Sequence, residues 1–203
     1  MTISTLVTHS GGFHADEVLS TVILARLYPE AEVVRSRSPA WITPADGRLI
    51  YDVGGAYDPE AGIFDHHQRE SPLREDETPY SSFGLVWKHF GMAFLRSFDI
   101  PETELETIHA AFDRSFVLPV DQVDNGTVSV SEAGPLSSMT LPGLIETLKP
   151  VFDDTDPESE TRAFHAAVGI ARQFVEARIG RSAAKLRAEV LAAEAIRAAG
   201  DSP

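Results

Sequence analysis

The 203-residue chain contains no cysteine. Disulfides, zinc-thiolate sites, iron–sulfur clusters and thiol nucleophiles are therefore excluded. It is also short of positive charge: 17 Lys and Arg stand against 31 Asp and Glu, a formal net charge of −14. That balance argues against a basic face for nucleic acid, and against duplex DNA as a partner. Any phosphate-bearing substrate must meet a local positive centre, either a few arginines or a bound metal. No apolar run approaches the ~18 residues of a membrane span. The opening MTISTLVTHSGG lacks a charged region before an apolar stretch, so the expected compartment is the cytoplasm. What is present is ordinary for a globular protein: 43% apolar and 24% charged residues, enough to bury a core.

The first half alternates strand and helix patterns. Leu6-Val7-Thr8 is β-rich and runs into His9-Ser10-Gly11-Gly12; a helical pattern with Val18, Val22, Leu24 and Leu27 follows and stops at Tyr28-Pro29. Glu32–Arg35 and Arg48–Val53 read as the second and third strands, and Ile63-Phe64 as a fourth short one. Ser81-Ser82 suits an N-cap for a helix over Phe83–Phe90, with Gly91 as its stop. This alternation predicts an α/β fold with a mostly parallel sheet covered on both faces. Beyond it, Glu102–Phe116 reads as a helix, and Thr127–Pro142, rich in Ser, Gly and Pro, as a loop. After an acidic helix start at Asp153–Glu158, Phe164, Val168, Ala171, Val175 and Ile179 mark an apolar stripe that Leu186, Val190 and Ala193 continue towards Gly200.

Four of the seven histidines fall in two clusters beside aspartates. His9, His14 and Asp16 flank the turn from the first strand into the first helix, where ligands bind in open α/β sheets. Imidazole with carboxylate suits a borderline cation such as Mn²⁺, Zn²⁺ or Fe²⁺; the alternative is an Asp N-cap with two polar loop histidines. Asp52 is a lone carboxylate inside an apolar strand, costly to bury unless paired or metal-bound. Asp65-His66-His67 has little to offer a core. Asp121 and Asp124 share a helix face if their segment is helical. Arg35 and Arg37, at the end of the second strand, are natural phosphate contacts or ordinary surface arginines. His89, His109 and His165 lack acidic neighbours at ligand spacing and read as structural.

In this order, a strand-end His/Asp cluster, a solitary Asp, an Asp-His-His and a later Asp resemble the DHH phosphoesterase superfamily. Within it, HSGGFHADE, YDVGGAYD, FDHHQ, SSFGLVWKHFG and DNG are similar to the melanocyte-proliferating-gene (MYG) family, from Thr8 to about Gly126 and more diffusely to about Ala193. The resemblance implies a hydrolase with two divalent metal ions, manganese foremost, and a 3′–5′ exonuclease acting on RNA or short oligonucleotides. A hydrolase of pyrophosphate or amide bonds, or a non-catalytic metal- or nucleotide-binding module, is the alternative. It implies His9 and His14 on one metal, Asp16 on the other, Asp52 bridging, and His66 completing the second with Asp124 or, alternatively, Asp121. His67 would face the substrate phosphate and Asp65 would orient an imidazole. His14 departs from the superfamily, standing where an aspartate is usual. The resemblance also divides the chain into a metal-binding core over 1–126 and a loop plus helical part over 127–203, the start of a second domain that is truncated or absent.

Overall fold

The computed structural model describes residues 2–129, 136 and 138–200. Part of the expected loop (130–135 and 137) and the terminal 201–203 lie outside the described residues. Five strands, β1 (Thr5–Thr8), β2 (Glu32–Arg35), β3 (Arg48–Tyr51), β4 (Tyr57–Asp58) and β5 (Ile63–Phe64), form one sheet in the order β2-β1-β3-β5-β4. All neighbours pair in parallel except the edge strand β4, which runs antiparallel to β5. The chain leaves β1 towards β2 on one side and returns to β3 on the other. The strand order therefore reverses between β1 and β3, the place where open α/β sheets form a crevice at their carboxyl ends.

Strand alternation assigns side chains to two unequal faces. Leu6, Leu49, Tyr51 and Phe64 enter the main core with helices α1 (Ala15–Leu27), α3 (Ser82–Arg96), α4 (Glu102–Phe112) and α7 (Ser159–Ala199). Val7, Ile50, Val53 and Ile63 form a small second cluster beside Ile42, the last residue of the one-turn helix α2 (Pro39–Ile42). Helix α1 lies deepest, and every residue from Ala15 to Leu24 is buried. Its apolar residues span more than one face for that reason: sheet, α3 and α7 enclose it. Phe13 and Phe164 meet edge to face at 5.8 Å, so the main core joins side chains from both halves of the chain.

The structure corrects three readings of the helices. Gly91 does not stop α3, which runs on to Arg96. Its missing side chain is a packing requirement, because a Cβ there would sit 2.7 Å from His109 Nε2 and 2.8 Å from Trp87. The expected helix over Glu102–Phe116 ends at Phe112, then widens into a π-helical turn (Asp113–Val117) that leads into α5 (Leu118–Asp124). In α7 the stripe from Phe164 to Ile179 is buried, but Val190 is 52% exposed and Ala193 is exposed too. The last turns of that helix leave the core behind. Ser81 does cap α3, accepting the Gly84 N–H. A short helix, α6 (Leu141–Glu146), precedes α7 and is capped by Thr140. Among the described residues no helix is long and apolar enough to cross a membrane.

Candidate metal centre

Three strand ends and two helix ends converge at the β1/β3 crevice. His9 follows β1, Asp52 follows β3, Asp65-His66-His67 follow β5, Asp16 opens α1 and Asp124 closes α5. Asp52 lies just past its strand rather than within it, and its φ of 56° is left-handed, a conformation that Asp tolerates better than most residues. Tyr51 anchors that turn. The Thr21 hydroxyl donates to the Glu17 carbonyl at 2.7 Å, so the Tyr51 hydroxyl must donate in turn to Thr21 Oγ1, also at 2.7 Å. This pair ties the end of β3 to the first turns of α1.

The distances define a compact set. His9 Nε2 lies 3.1 Å from Asp52 Oδ2, and His66 Nε2 lies 3.3 Å from Asp52 Oδ1, 3.4 Å from Asp124 Oδ2 and 3.7 Å from Asp16 Oδ2. Donor atoms of Asp16, His66 and Asp124 lie within 4.8 Å of one another, as do those of Asp52, His66 and His67. Asp65 holds the histidines in place. One oxygen accepts from the His66 backbone N–H at 2.8 Å and faces His67 Nδ1 at 2.7 Å, while the other accepts from Gly55 N–H at 2.6 Å. His67 is left with its side chain 62% exposed, facing a cavity of about 520 Å³. His14, His66 and Asp124 line its polar wall, and Val120, Val123 and Pro142 its apolar one.

The electrostatics show what the cluster lacks. Asp16 is 1% exposed and Asp52 3% exposed, and Asp16 Oδ2 and Asp52 Oδ1 accept no hydrogen bond. Burial, then the charges of Asp52, Asp124 and Glu17, pushes the Asp16 carboxyl well above its usual range. Burial also lifts Asp124. Burial would lift Asp52 as well, but the His66 and His9 imidazoles beside it hold it low. The burial that would depress His9 is outweighed by Asp52 and Glu17, which carry its imidazole up to about 9. Buried carboxylate oxygens without partners, interleaved with imidazole nitrogens, suit a divalent cation of borderline softness. The residues fit such an ion.

Of the residues expected at this site, His9, His14, Asp16, Asp52, His66, His67 and Asp124 are brought together, with Asp65 behind them. Asp121 is not. It is fully buried against the start of α3, where Ser81 donates to it at 2.6 Å and Arg74 at 2.7 Å. A Cβ on Gly84 would run into its carboxylate. Arg35 and Arg37 reach the loop that carries His9 and His14. Arg35 donates to the Gly11 carbonyl and lies over the Phe164 ring at 4.6 Å, and Arg37 donates to the Ser10 carbonyl at 3.1 Å. His89, His109 and His165 join no candidate cation group among the described residues; His109 stacks on Trp87 at 4.8 Å. One residue escaped the sequence reading. Glu17 is fully buried, both its oxygens accept the His14 N–H at 2.9 Å, and one is 3.1 Å from His9 Nε2. Its signal was the third helical position after His14, where a carboxylate closes a capping box.

Comparison with known proteins gives the chain a family. The profile of the uncharacterised protein family UPF0160 matches residues 5–202. A MYG1 protein of Schizosaccharomyces pombe is 39% identical over 98% of this chain and 65% of its own length. The MYG1 exonucleases of Bos taurus and Homo sapiens are 35% and 33% identical, over 82% and 83% of this chain. The chain spans about half the length of those two relatives (47% and 48%). No solved structure matches.

Proposed function

The chain belongs to the MYG1 family (UPF0160), and from that membership we propose that it is a metal-dependent hydrolase of phosphodiester bonds, a 3′–5′ exonuclease on short RNA. One observation carries the reading: two buried carboxylates, Asp16 and Asp52, each point an unpartnered oxygen into a crevice that also holds His9, His66 and Asp124. His9 and His14 would hold one ion, and Asp16, His66 and Asp124 the other. Asp52, 3.1 Å from His9 and 3.3 Å from His66, would serve both. When bound, such a pair of cations clamps the attacking and leaving oxygens of an in-line displacement and generates a nucleophile at neutral pH. The mixed imidazole and carboxylate donors suit Mn²⁺, Zn²⁺ or Fe²⁺, and the preference for manganese among them is what the DHH resemblance implies.

The protein's own contribution is to orient and to exclude water. Asp65 fixes His67, and the exposed ring stands at the cavity, placed to donate to a phosphoryl oxygen. Asp65 also raises the His67 pKa by hydrogen bonding, which favours that donor. The apolar wall of Val120, Val123 and Pro142 gives the neutral part of a nucleotide a surface to leave water against. Arg37, exposed at the loop, would offer a phosphate contact. Arg35 is tied between Gly11 and Phe164 and would act by holding the loop.

With two arginines at most, and a net charge of −14, long RNA gains little. Affinity should fall with salt at a slope no steeper than about −1.5 on logarithmic axes, and substrates of one to four nucleotides should be preferred. The test is metal analysis of purified protein, melting with and without Mn²⁺, and hydrolysis of bis(p-nitrophenyl) phosphate and labelled short RNA. Bound ions must raise the melting temperature by mass action. A protein that takes up no Mn²⁺, Zn²⁺ or Fe²⁺, and gains no stability from them, overturns the reading. Ion uptake without hydrolysis of either substrate would favour a non-catalytic binding module.

A further inference from the structure

The geometry points to Glu17 as a ligand of the divalent ion held at His9 and His14, completing a site whose second imidazole leaves it poor in negative charge. The inference rests on the proposed metal-dependent function and extends it to a residue outside the expected ligand set. Glu17 has no exposure, and donor atoms of His9, His14 and Glu17 lie within 4.8 Å of one another. Helix capping accounts for where Glu17 stands. It does not account for the charge, since a glutamine closes the same box. No lysine or arginine pairs with Glu17 among the described residues, and its carboxylate instead faces Asp16 and Asp52. An ionised group in such surroundings requires a positive centre.

The His9 ring says where that centre belongs. Its Nδ1 lies 3.2 Å from the Ser10 carbonyl, an acceptor, so Nδ1 carries a proton. Nε2 then faces two carboxylate oxygens, Glu17 Oε1 and Asp52 Oδ2, both at 3.1 Å. A divalent ion that displaces the Nε2 proton would take all three atoms as ligands. Two ligands ~2.1 Å from one ion and at right angles lie about 3 Å apart, which matches both separations. The unpartnered buried oxygens of Asp52 and Asp16 beside the trio point independently to a cation. Glu17 thus supplies the carboxylate that His14 does not, and makes the first site a two-imidazole, two-carboxylate one with Asp52.

The test compares wild type, Glu17→Gln and Glu17→Asp, counting Mn²⁺ and Co²⁺ per chain after equilibrium dialysis and titrating each ion by calorimetry. Glu17→Gln keeps the cap and the volume, so the metal-free variant should melt at or above the wild-type temperature. It should hold one ion where wild type holds two, and the lost ion should bind more weakly than the 10–100-fold that removing an outer-sphere partner brings. Glu17→Asp, which keeps the charge, should recover part of that affinity. The inference is overturned if Glu17→Gln binds two ions with losses within 100-fold, or if its metal-free form fails to fold. Failure of wild type to take up any ion would instead overturn the metal-dependent reading itself.

Discussion

Asp121 and Asp124 stand one turn apart in α5 and meet different partners. Asp121 is fully buried, yet it receives the hydroxyl and backbone N–H of Ser81 and the guanidinium of Arg74, which also grips Asp113 at 2.7 Å. Burial pushes the Asp121 carboxyl up to about 6 against those partners, and the two carboxylates raise Arg74 in turn against its burial. Asp124 instead joins Asp16 and Asp52 at the crevice, where buried oxygens lack partners and, among the described residues, imidazoles answer the charge. The same fold that brings an arginine to Asp121 brings none to Asp16 among the described residues. A fully paired carboxylate serves stability; an unpaired buried one carries a cost that protonation or a bound cation would remove.

The comparison breaks most sharply at Asp52. Asp52→Asn should lower phosphodiester turnover by more than the ~10²–10³ that loss of a single electrostatic stabiliser costs. Its metal-free melting temperature should fall, because the imidazoles that hold the Asp52 carboxyl low stabilise its charge in the fold. Wild-type turnover in that variant would refute the role. A different outcome is expected at the paired carboxylate. Arg74→Met strands Asp121 and should cost ~3–5 kcal/mol in urea denaturation, with or without metal. A variant within 1 kcal/mol of wild type would show that the pair is not the anchor described.

Smaller effects sharpen the contrast within Asp65-His66-His67. His66→Ala should reduce ion occupancy, whereas His67→Ala should leave occupancy near wild type and slow turnover about 10²–10³-fold; equal metal loss in both would contradict the division. The smallest effect lies far from the crevice. Burial against Trp87 lowers the His109 pKa below its ordinary value, although a backbone hydrogen bond and Asp113 oppose that. The neutral ring is thus favoured in the fold, so its contribution is complete above pH 6.5 and lost as pH falls through the lowered value. His109→Phe should therefore lose less stability than wild type between pH 7.5 and 5.5, measured by urea titration at each pH. Parallel curves would remove His109 from the acid limb.

Much of the site was legible because its chemistry is local in sequence. His9, His14 and Asp16 fall within one strand-to-helix turn, and Asp65-His66-His67 is contiguous, so unusual residue types crowd together visibly. Strand positions were legible for the same reason: Glu32–Arg35 appears as read, and the buried spacing of Phe164 to Ile179 repeats at helical period. Less legible were features that depend on what packs from elsewhere. Gly91 has the look of a helix stop until His109 and Trp87 arrive from across the core. Val190 continues an apolar stripe in sequence, but no element lies opposite it among the described residues.

By itself the sequence determined the chemistry available: imidazoles and carboxylates without thiols, an acidic surface, and alternating elements that put polar turns at the ends of apolar strands. Periodicity and residue type act over a few residues, and they are written in the chain. Tertiary structure alone decided which carboxylate faces which partner. Asp121 and Asp124 are separated by three positions on one helix, too close for sequence to tell apart. Arg74 and Ser81 meet Asp121, while Asp16, Asp52 and His66 meet Asp124. The same holds for Glu17, whose place in a capping box conceals that β1 and β3 bring His9 and Asp52 against it. Those neighbours come from strands distant in the chain, and a charge buried among them is defined only once the sheet has closed.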